Sequence, residues 1–241
     1  MKRTERHHLK ENDLRALARR TGQLIESRKQ QMSWGLAVVV VVGLAAVGYA
    51  AWRQSVQANA GALLAEAVTV RDARVGPPPA PGTVTTAVYF PTEQERTAAA
   101  VVKFKAAADA YPATDAGVFA RYRQAAMLMQ LGRFDEAGKT YQQVIDAAGA
   151  RVYGQMARLG LAGAQVRAGQ YDQAILAFKE LSQRKDGPLP VDGILIELGR
   201  VYLQAGKAAD AKQAFTRVVD EFPESPFSAD AKRELENLKK T

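Results

Sequence analysis

From Gly35 to Ala51 the sequence carries no charge, and a tryptophan stands at each end of the run, Trp34 and Trp52. At 1.5 Å per helical residue the step between the two indoles covers about 27 Å, close to the hydrocarbon thickness of a bilayer. Val38 to Val42 would favour a strand in water. In lipid only a helix closes all its own backbone hydrogen bonds, so that preference is overridden. Indole rings favour the headgroup interface, which makes Trp34, Trp52 and the following Arg53 an interfacial set. Two other readings compete. One is a buried core helix. The other is a cleaved signal peptide, for which Ala58-Asn59-Ala60 supplies the A-x-A form. The run is longer than a usual h-region of roughly 7–15 residues, and 33 residues precede it, which argues against cleavage.

Charge orients the span. Of the formal net charge of +8, residues 1–33 supply +5, with nine Lys/Arg against four Asp/Glu. Five Lys/Arg lie in the twenty residues before Trp34 and two in the twenty after Trp52. The positive-inside rule places the N-terminus in the cytoplasm and the large C-terminal part outside, the periplasm of a bacterium. Residues 4–31 read as a helix with a narrow apolar stripe, Leu14, Leu17, Ala18, Leu24 and Ile25, among basic residues. It either lies on the anionic leaflet or serves as a topology signal. The only histidines, His7 and His8, are adjacent and do not share a helix face. The basic pI is therefore largely an N-terminal effect, and no nucleic-acid partner is expected.

The organisation that follows is a basic cytoplasmic amphipathic helix over 1–33 and a transmembrane helix over 34–52. A helix leaving the membrane over 53–75, a Pro-rich linker over 76–91 and a helical repeat domain over 92–241 complete it. Within the linker, the prolines of Gly76-Pro77-Pro78-Pro79-Ala80-Pro81-Gly82 remove backbone donors and fix φ, so the stretch reads as an extended connector. Thr92 and Glu95 have capping-box spacing and predict a helix from Glu93 to about Tyr111, ended by Pro112.

The repeat domain is marked by recurrence. Gly132-Arg133-Phe134-Asp135-Glu136-Ala137 returns as Gly169-Gln170-Tyr171-Asp172-Gln173-Ala174, and again as Gly206-Lys207-Ala208-Ala209-Asp210-Ala211, each time after 37 residues. Four residues beyond each alanine stands an aromatic: Tyr141, Phe178, Phe215. Ala100 and Phe104, then Tyr111-Pro112, echo Ala211 and Phe215, then Phe222-Pro223. The physical sense is a helical hairpin. Glycine starts the turn, alanine lets two helices approach, and the later aromatic packs onto the next unit. At these residues the chain resembles the tetratricopeptide (TPR) family. The third unit fits most fully, with Leu195, Leu198-Gly199, Tyr202, Gly206, Ala211, Phe215 and Pro223. A period of 37 rather than about 34 implies longer turns between units, Gly187-Pro188-Leu189-Pro190 being one. Gln165 stands where a large apolar residue is common. The degenerate first unit takes its first helix from Arg53–Arg74, and Ser225-Pro226 opens a final capping helix to Leu238. The fold class is thus all-α, a single transmembrane helix followed by a TPR-like α-solenoid.

Site chemistry narrows the function. There is no cysteine, and no histidine after His8, so thiol, Ser-His-Asp and His-zinc sites are excluded from the large domain. No Gly-rich phosphate loop is present. Asp135, Glu136, Asp172 and Asp210 fall at helix starts, where the dipole favours acids. An enzyme, a metal and a cofactor are all not expected. The TPR resemblance implies that the first helix of each pair lines a groove. That places Phe119, Tyr122, Ala126 and Met129, then Met156, Leu159 and Val166, then Ile196, Arg200 and Leu203 on a largely apolar partner-binding face. The basic clamp of TPR proteins that bind acidic chaperone tails has no match at Phe119, Tyr122 and Ala126.

The whole plan resembles the ancillary SecYEG translocon subunit family, whose TPR domain is related to that of the cell-division coordinator. The matching features are the architecture, Trp52-Arg53 and the degenerate first unit. The resemblance implies a single-pass inner-membrane scaffold that engages the translocon, periplasmic chaperones or emerging chains. The alternatives are a structural scaffold for envelope assembly or division, and a cytosol-facing TPR receptor anchored at its N-terminus. The oligomeric state is left open by the sequence.

Overall fold

The computed structural model describes residues 3–77, 88–184 and 187–240, with side chains from Ser33 onward. Most of the Pro-rich connector, and the side chains of the N-terminal apolar stripe and of His7 and His8, therefore lie outside what is described. The chain divides into two units, Met1–Ser55 and Val56–Thr241.

The first unit is helical, part of α1 (Arg3–Arg71). Within α1, Ser33–Arg71 is long and apolar enough to cross a membrane by length and composition, and none of its most apolar window is buried. Trp34, Leu36, Val38 to Val42, Leu44, Val47 and Trp52 are all exposed. That is not the profile of a core helix. Tyr49 leans on Trp52 with ring centroids 5.8 Å apart.

The second unit begins with the last turns of α1, where Ala60, Ala67 and Val70 are buried. The helix stops at Arg71, three residues short of the expected Arg74, because Arg74–Val75 (β1) pairs in parallel with Tyr89–Phe90 (β2). The Gly76 N–H donates to the Phe90 carbonyl at 3.0 Å and closes the loop base. Then α2 runs Glu93–Ala110, matching the expected helix. Its N-cap is Thr92, whose Oγ1 accepts from the Glu95 N–H at 3.2 Å.

Three hairpins follow: α3 (Asp115–Gln130) with α4 (Phe134–Ala148), α5 (Val152–Arg167) with α6 (Tyr171–Ser182), and α7 (Val191–Gln204) with α8 (Ala208–Glu221). The final helix, α9, runs Ser228–Leu238. From α2 onward each helix packs against the next in sequence, and α3 also touches α5. The fold is an all-α, TPR-like solenoid, with nine α-helices among the described residues. α9 starts three residues after the expected Ser225. There Ser225 Oγ accepts from the Phe227 N–H at 3.0 Å and donates to Asp192 Oδ2 at 2.6 Å, so the side chain holds a turn first.

The hairpin turns repeat atom for atom. Gly132, Gly169 and Gly206 have φ of 74°, 75° and 72°, the left-handed region that glycine enters freely. Each N–H bonds the carbonyl three back (Met129, Val166, Leu203), and the next N–H bonds the carbonyl five back (Leu128, Gln165, Tyr202), at 2.8–3.1 Å. This is the Schellman closure. Ala137, Ala174 and Ala211 are each 0 % exposed, and Tyr141, Phe178 and Phe215 are buried beside them. The aromatics differ in what they press upon. A Cβ on Gly160 would stand 2.5 Å from Tyr141 Cζ, so Tyr141 packs onto the next unit as expected. A Cβ on Gly199 would stand 2.3 Å from Phe215 Cε1, so Phe215 packs within its own unit.

Buried apolar side chains form two clusters that meet at α5. One joins the end of α1 with α2, α3 and α4, and takes Ala157 and Ala164 from α5. The other joins α6, α7, α8 and α9, and takes Ala162.

Candidate functional site

On α3 the residues Phe119, Tyr122, Ala126 and Met129 recur at helical spacing on one face, and all are half-buried. On α5, Met156, Leu159 and Val166 do the same. These are side chains with large apolar surfaces that the core does not consume. Tyr153 joins them. Its ring lies 5.3 Å from Phe119 and 6.1 Å from Tyr122, and Tyr122 lies 5.8 Å from Tyr141 beneath it. Four aromatics thus form one tilted cluster, Phe119 and Tyr122 from α3, Tyr141 from α4 and Tyr153 from α5, with inclined ring planes. Burial raises the pKa of Tyr122, and pushes that of Tyr141 to about 12. Both hydroxyls stay neutral across the physiological range, and the Arg123 charge acts on both, opposing the effect of burial.

Across α7 the face changes character. Ile196, expected to line the groove, is 0 % exposed and belongs to the C-terminal core. Its neighbours on the same face explain this. A Cβ on Gly193 would meet the Phe227 ring at 3.3 Å, and Arg200 Nη2 donates to Asp230 Oδ2 at 3.4 Å. The segment opening α9 therefore covers this face of α7. Arg200 also donates to Glu197 Oε1 at 2.6 Å, so its charge is spent within the fold. Leu203 remains half-buried. Of the expected groove residues, Phe119, Tyr122, Met129, Met156 and Leu159 lie on the open part, Ile196 is sealed, and Arg200 is engaged by the cap. Sequence reasoning missed Tyr153, although it stands three residues before Met156 on the same helix face.

The acids at helix starts serve the fold. Asp135 and Glu136 are in the first turn of α4, Asp172 in that of α6 and Asp210 in that of α8. Glu136 is paired with Arg133 at 2.6 Å and Asp172 with Lys207 at 2.6 Å, the latter tying consecutive turns together. Arg167 stacks on the Phe134 ring at 5.1 Å at the equivalent place one unit earlier. A second cleft of about 460 Å³ opens between the end of α2, the start of α3 and α4. Its wall includes Asp109, bonded to both Lys105 and Arg121, an ion-paired surface unlike the aromatic face.

A model of the tetratricopeptide repeat-like domain matches residues 29–240. The chain belongs to the tetratricopeptide repeat-like family. Among solved structures it is similar to the nearly identical TPR-like repeats of a kinesin light chain from Podosopora anserina. Identity there is 16 %, with 61 % of this chain and 80 % of that one covered at a TM-score of 0.53. A tetratricopeptide repeat protein from Parabacteroides merdae matches at 16 % identity, covering 61 % of this chain and 55 % of that one, TM-score 0.49. The Yersinia enterocolitica type III secretion chaperone SycD, solved with a peptide of the translocator YopD, matches at 21 % identity. It covers 52 % of this chain and 95 % of its own, TM-score 0.45. No curated protein matches the chain. At these identities the likeness is one of fold alone. In TPR terms α3, α5 and α7 are the first helices of their pairs, and the second unit departs most from the pattern. Arg158 and Gln165 occupy the places that Leu195 and Tyr202 hold in the third unit, 37 residues on. Arg158 Nε and Gln165 Oε1 are buried without a hydrogen-bond partner among the described residues.

Proposed function

We propose that this protein is a membrane-anchored protein-interaction scaffold whose TPR face on α3 and α5 docks a partner segment. The observation that carries the reading is the half-exposed cluster of Phe119, Tyr122 and Tyr153, continued by Met129, Met156 and Leu159. Aromatic side chains of this kind supply contact area at low entropic cost, and the flexible methionines adapt to a helix or an extended peptide. The apolar span bracketed by Trp34 and Trp52 serves as the anchor. With the basic flank on its N-terminal side, the N-terminus is cytoplasmic and the repeat domain periplasmic in a bacterial inner membrane. The resemblance to the ancillary translocon subunit family makes the translocon, periplasmic chaperones or emerging exported chains the partners to seek. The role is one of binding and not catalysis: no cysteine is present, and no histidine follows His8.

The double variant Tyr122→Ala, Leu159→Ala tests the docking face. Loss of partner capture with helical content and membrane assembly unchanged is expected. Undiminished capture by a folded double variant would contradict the reading. Orientation is tested separately by external protease on spheroplasts carrying a tag after Thr241. Removal of the tag with the inner membrane intact is expected, and protection until lysis would reverse the topology.

A further inference from the structure

Away from the aromatic face, a cavity of about 220 Å³ lies where the last residues of α1, the start of α2 and the face of α3 bearing Arg123 converge. Three guanidinium groups and two carboxylates line it: Arg71, Arg96 and Arg123, with Asp72 and Glu93. The carboxylates are already engaged. Arg71 donates to both Asp72 oxygens, from Nε at 2.8 Å and Nη2 at 2.7 Å. Arg96 donates from Nη2 to Glu93 Oε1 at 2.8 Å and from Nη1 to the Ala73 carbonyl at 3.4 Å. Arg123 makes no ion pair among the described residues, and its Nε is buried there without an acceptor. A buried guanidinium donor left unpaired is costly, so this arrangement asks for an anion. Residues 76–91 contain no Asp or Glu and so cannot supply one. The hydrogen bond from Arg71 depresses the Asp72 pKa, and the fields of Arg123 and Arg96 add to the effect, so the excess positive charge is felt across the cavity.

We infer that this cavity is a carboxylate-binding site in which Arg123 holds one singly charged carboxylate group, borne either by a small free acid or by an acidic side chain of a polypeptide. The one uncompensated guanidinium sets the charge at minus one, which favours a carboxylate over a doubly charged phosphate. The planar guanidinium fork matches a carboxylate with two parallel hydrogen bonds. The volume, room for roughly seven waters at about 30 Å³ each, admits the group with part of its hydration. The site goes beyond the docking face proposed above, and neither depends on the other.

The test uses the purified full chain in nonionic detergent with ¹⁵N-labelled arginine, the Arg123 Nε–H signal being assigned by its loss in Arg123→Gln. Sodium acetate, sodium phosphate and the peptide Ac-Ala-Glu-Ala-NH₂ are titrated against sodium chloride at equal ionic strength. Acetate is expected to shift the Arg123 signal saturably. At ten times half-saturation it should raise Tm by about 3–6 °C, a rise absent in Arg123→Gln. Tighter binding of the glutamyl peptide than of acetate assigns the site to a polypeptide side chain, and equal or weaker binding to a free acid. An unmoved Arg123 signal with both carboxylates, an equal thermal rise in Arg123→Gln, or tighter binding of phosphate than of either carboxylate would overturn the inference.

Discussion

α5 and α7 hold equivalent places in consecutive units, and they use their side chains in opposite ways. On α7, Leu195 and Tyr202 are buried, Ile196 is sealed, and Gly199 lets Phe215 close against the helix. On α5 the matching core places carry Arg158 and Gln165, each with a buried polar atom lacking a partner among the described residues. The remaining buried α5 side chains are small, apart from Gln155. Its larger apolar residues, Tyr153, Met156, Leu159 and Val166, stay half-exposed. The apolar core accordingly divides at α5 into two clusters. The contrast teaches that the third unit is a closed support stiffened by α9. The second unit gives up packing and keeps its large apolar side chains available on a surface.

Copying the second unit into the third should break the contrast most strongly. Tyr202→Gln removes a large buried ring and introduces a buried amide, and is expected to cost about 3 kcal/mol, read from denaturant unfolding of the full chain. A cost below about 1 kcal/mol would mean that α7 is no better packed than α5. The reverse exchange should sharpen it. Gln165→Leu removes an unsatisfied buried acceptor at similar volume and is expected to add about 1 kcal/mol. A loss of stability would show that Gln165 has a partner, and that α5 is not the weaker seam.

The smallest effect is one of alkali. Burial raises the Tyr141 pKa to about 12 from the ordinary value of 10.0. Its folded pKa lies above its unfolded one, so its contribution is whole below pH 10 and is lost as pH rises from 10 to 12. Tyrosinate absorbance should show a late step near pH 12 that Tyr141→Phe removes, with neutral-pH stability little changed. A Tyr141 titrating near pH 10 would mean that the aromatic cluster is open to water down to its base.

The hairpins were legible because their determinants are local. A glycine in the left-handed region, the alanine five residues on and the aromatic four beyond that recur at one spacing, and the three turns close with identical bonds. The polar departure at Gln165 was also visible, being a misfit within a pattern. What was not legible depends on contacts distant in sequence. Ile196 reads as a groove residue on helical spacing alone, and only the docking of the segment around Phe227 and Asp230 removes it from the surface. Arg71, Arg96 and Arg123 stand on three different elements, so no spacing brings them together. The β1–β2 pair, two residues on each side, is too short to leave an alternation. Tyr153 could have been found by extending the Met156–Leu159 face back by three residues.

On the docking function proposed above, the open face of α3 and α5, and not the sealed third unit, meets the partner. A photo-crosslinking amino acid placed at Met156, and in a parallel chain at the exposed Lys212 of α8, tests it most directly in cells. Discrete adducts with another protein are expected from position 156, reduced by Tyr122→Ala, and none from position 212. Adducts of equal yield from both positions, or from position 212 alone, would contradict it.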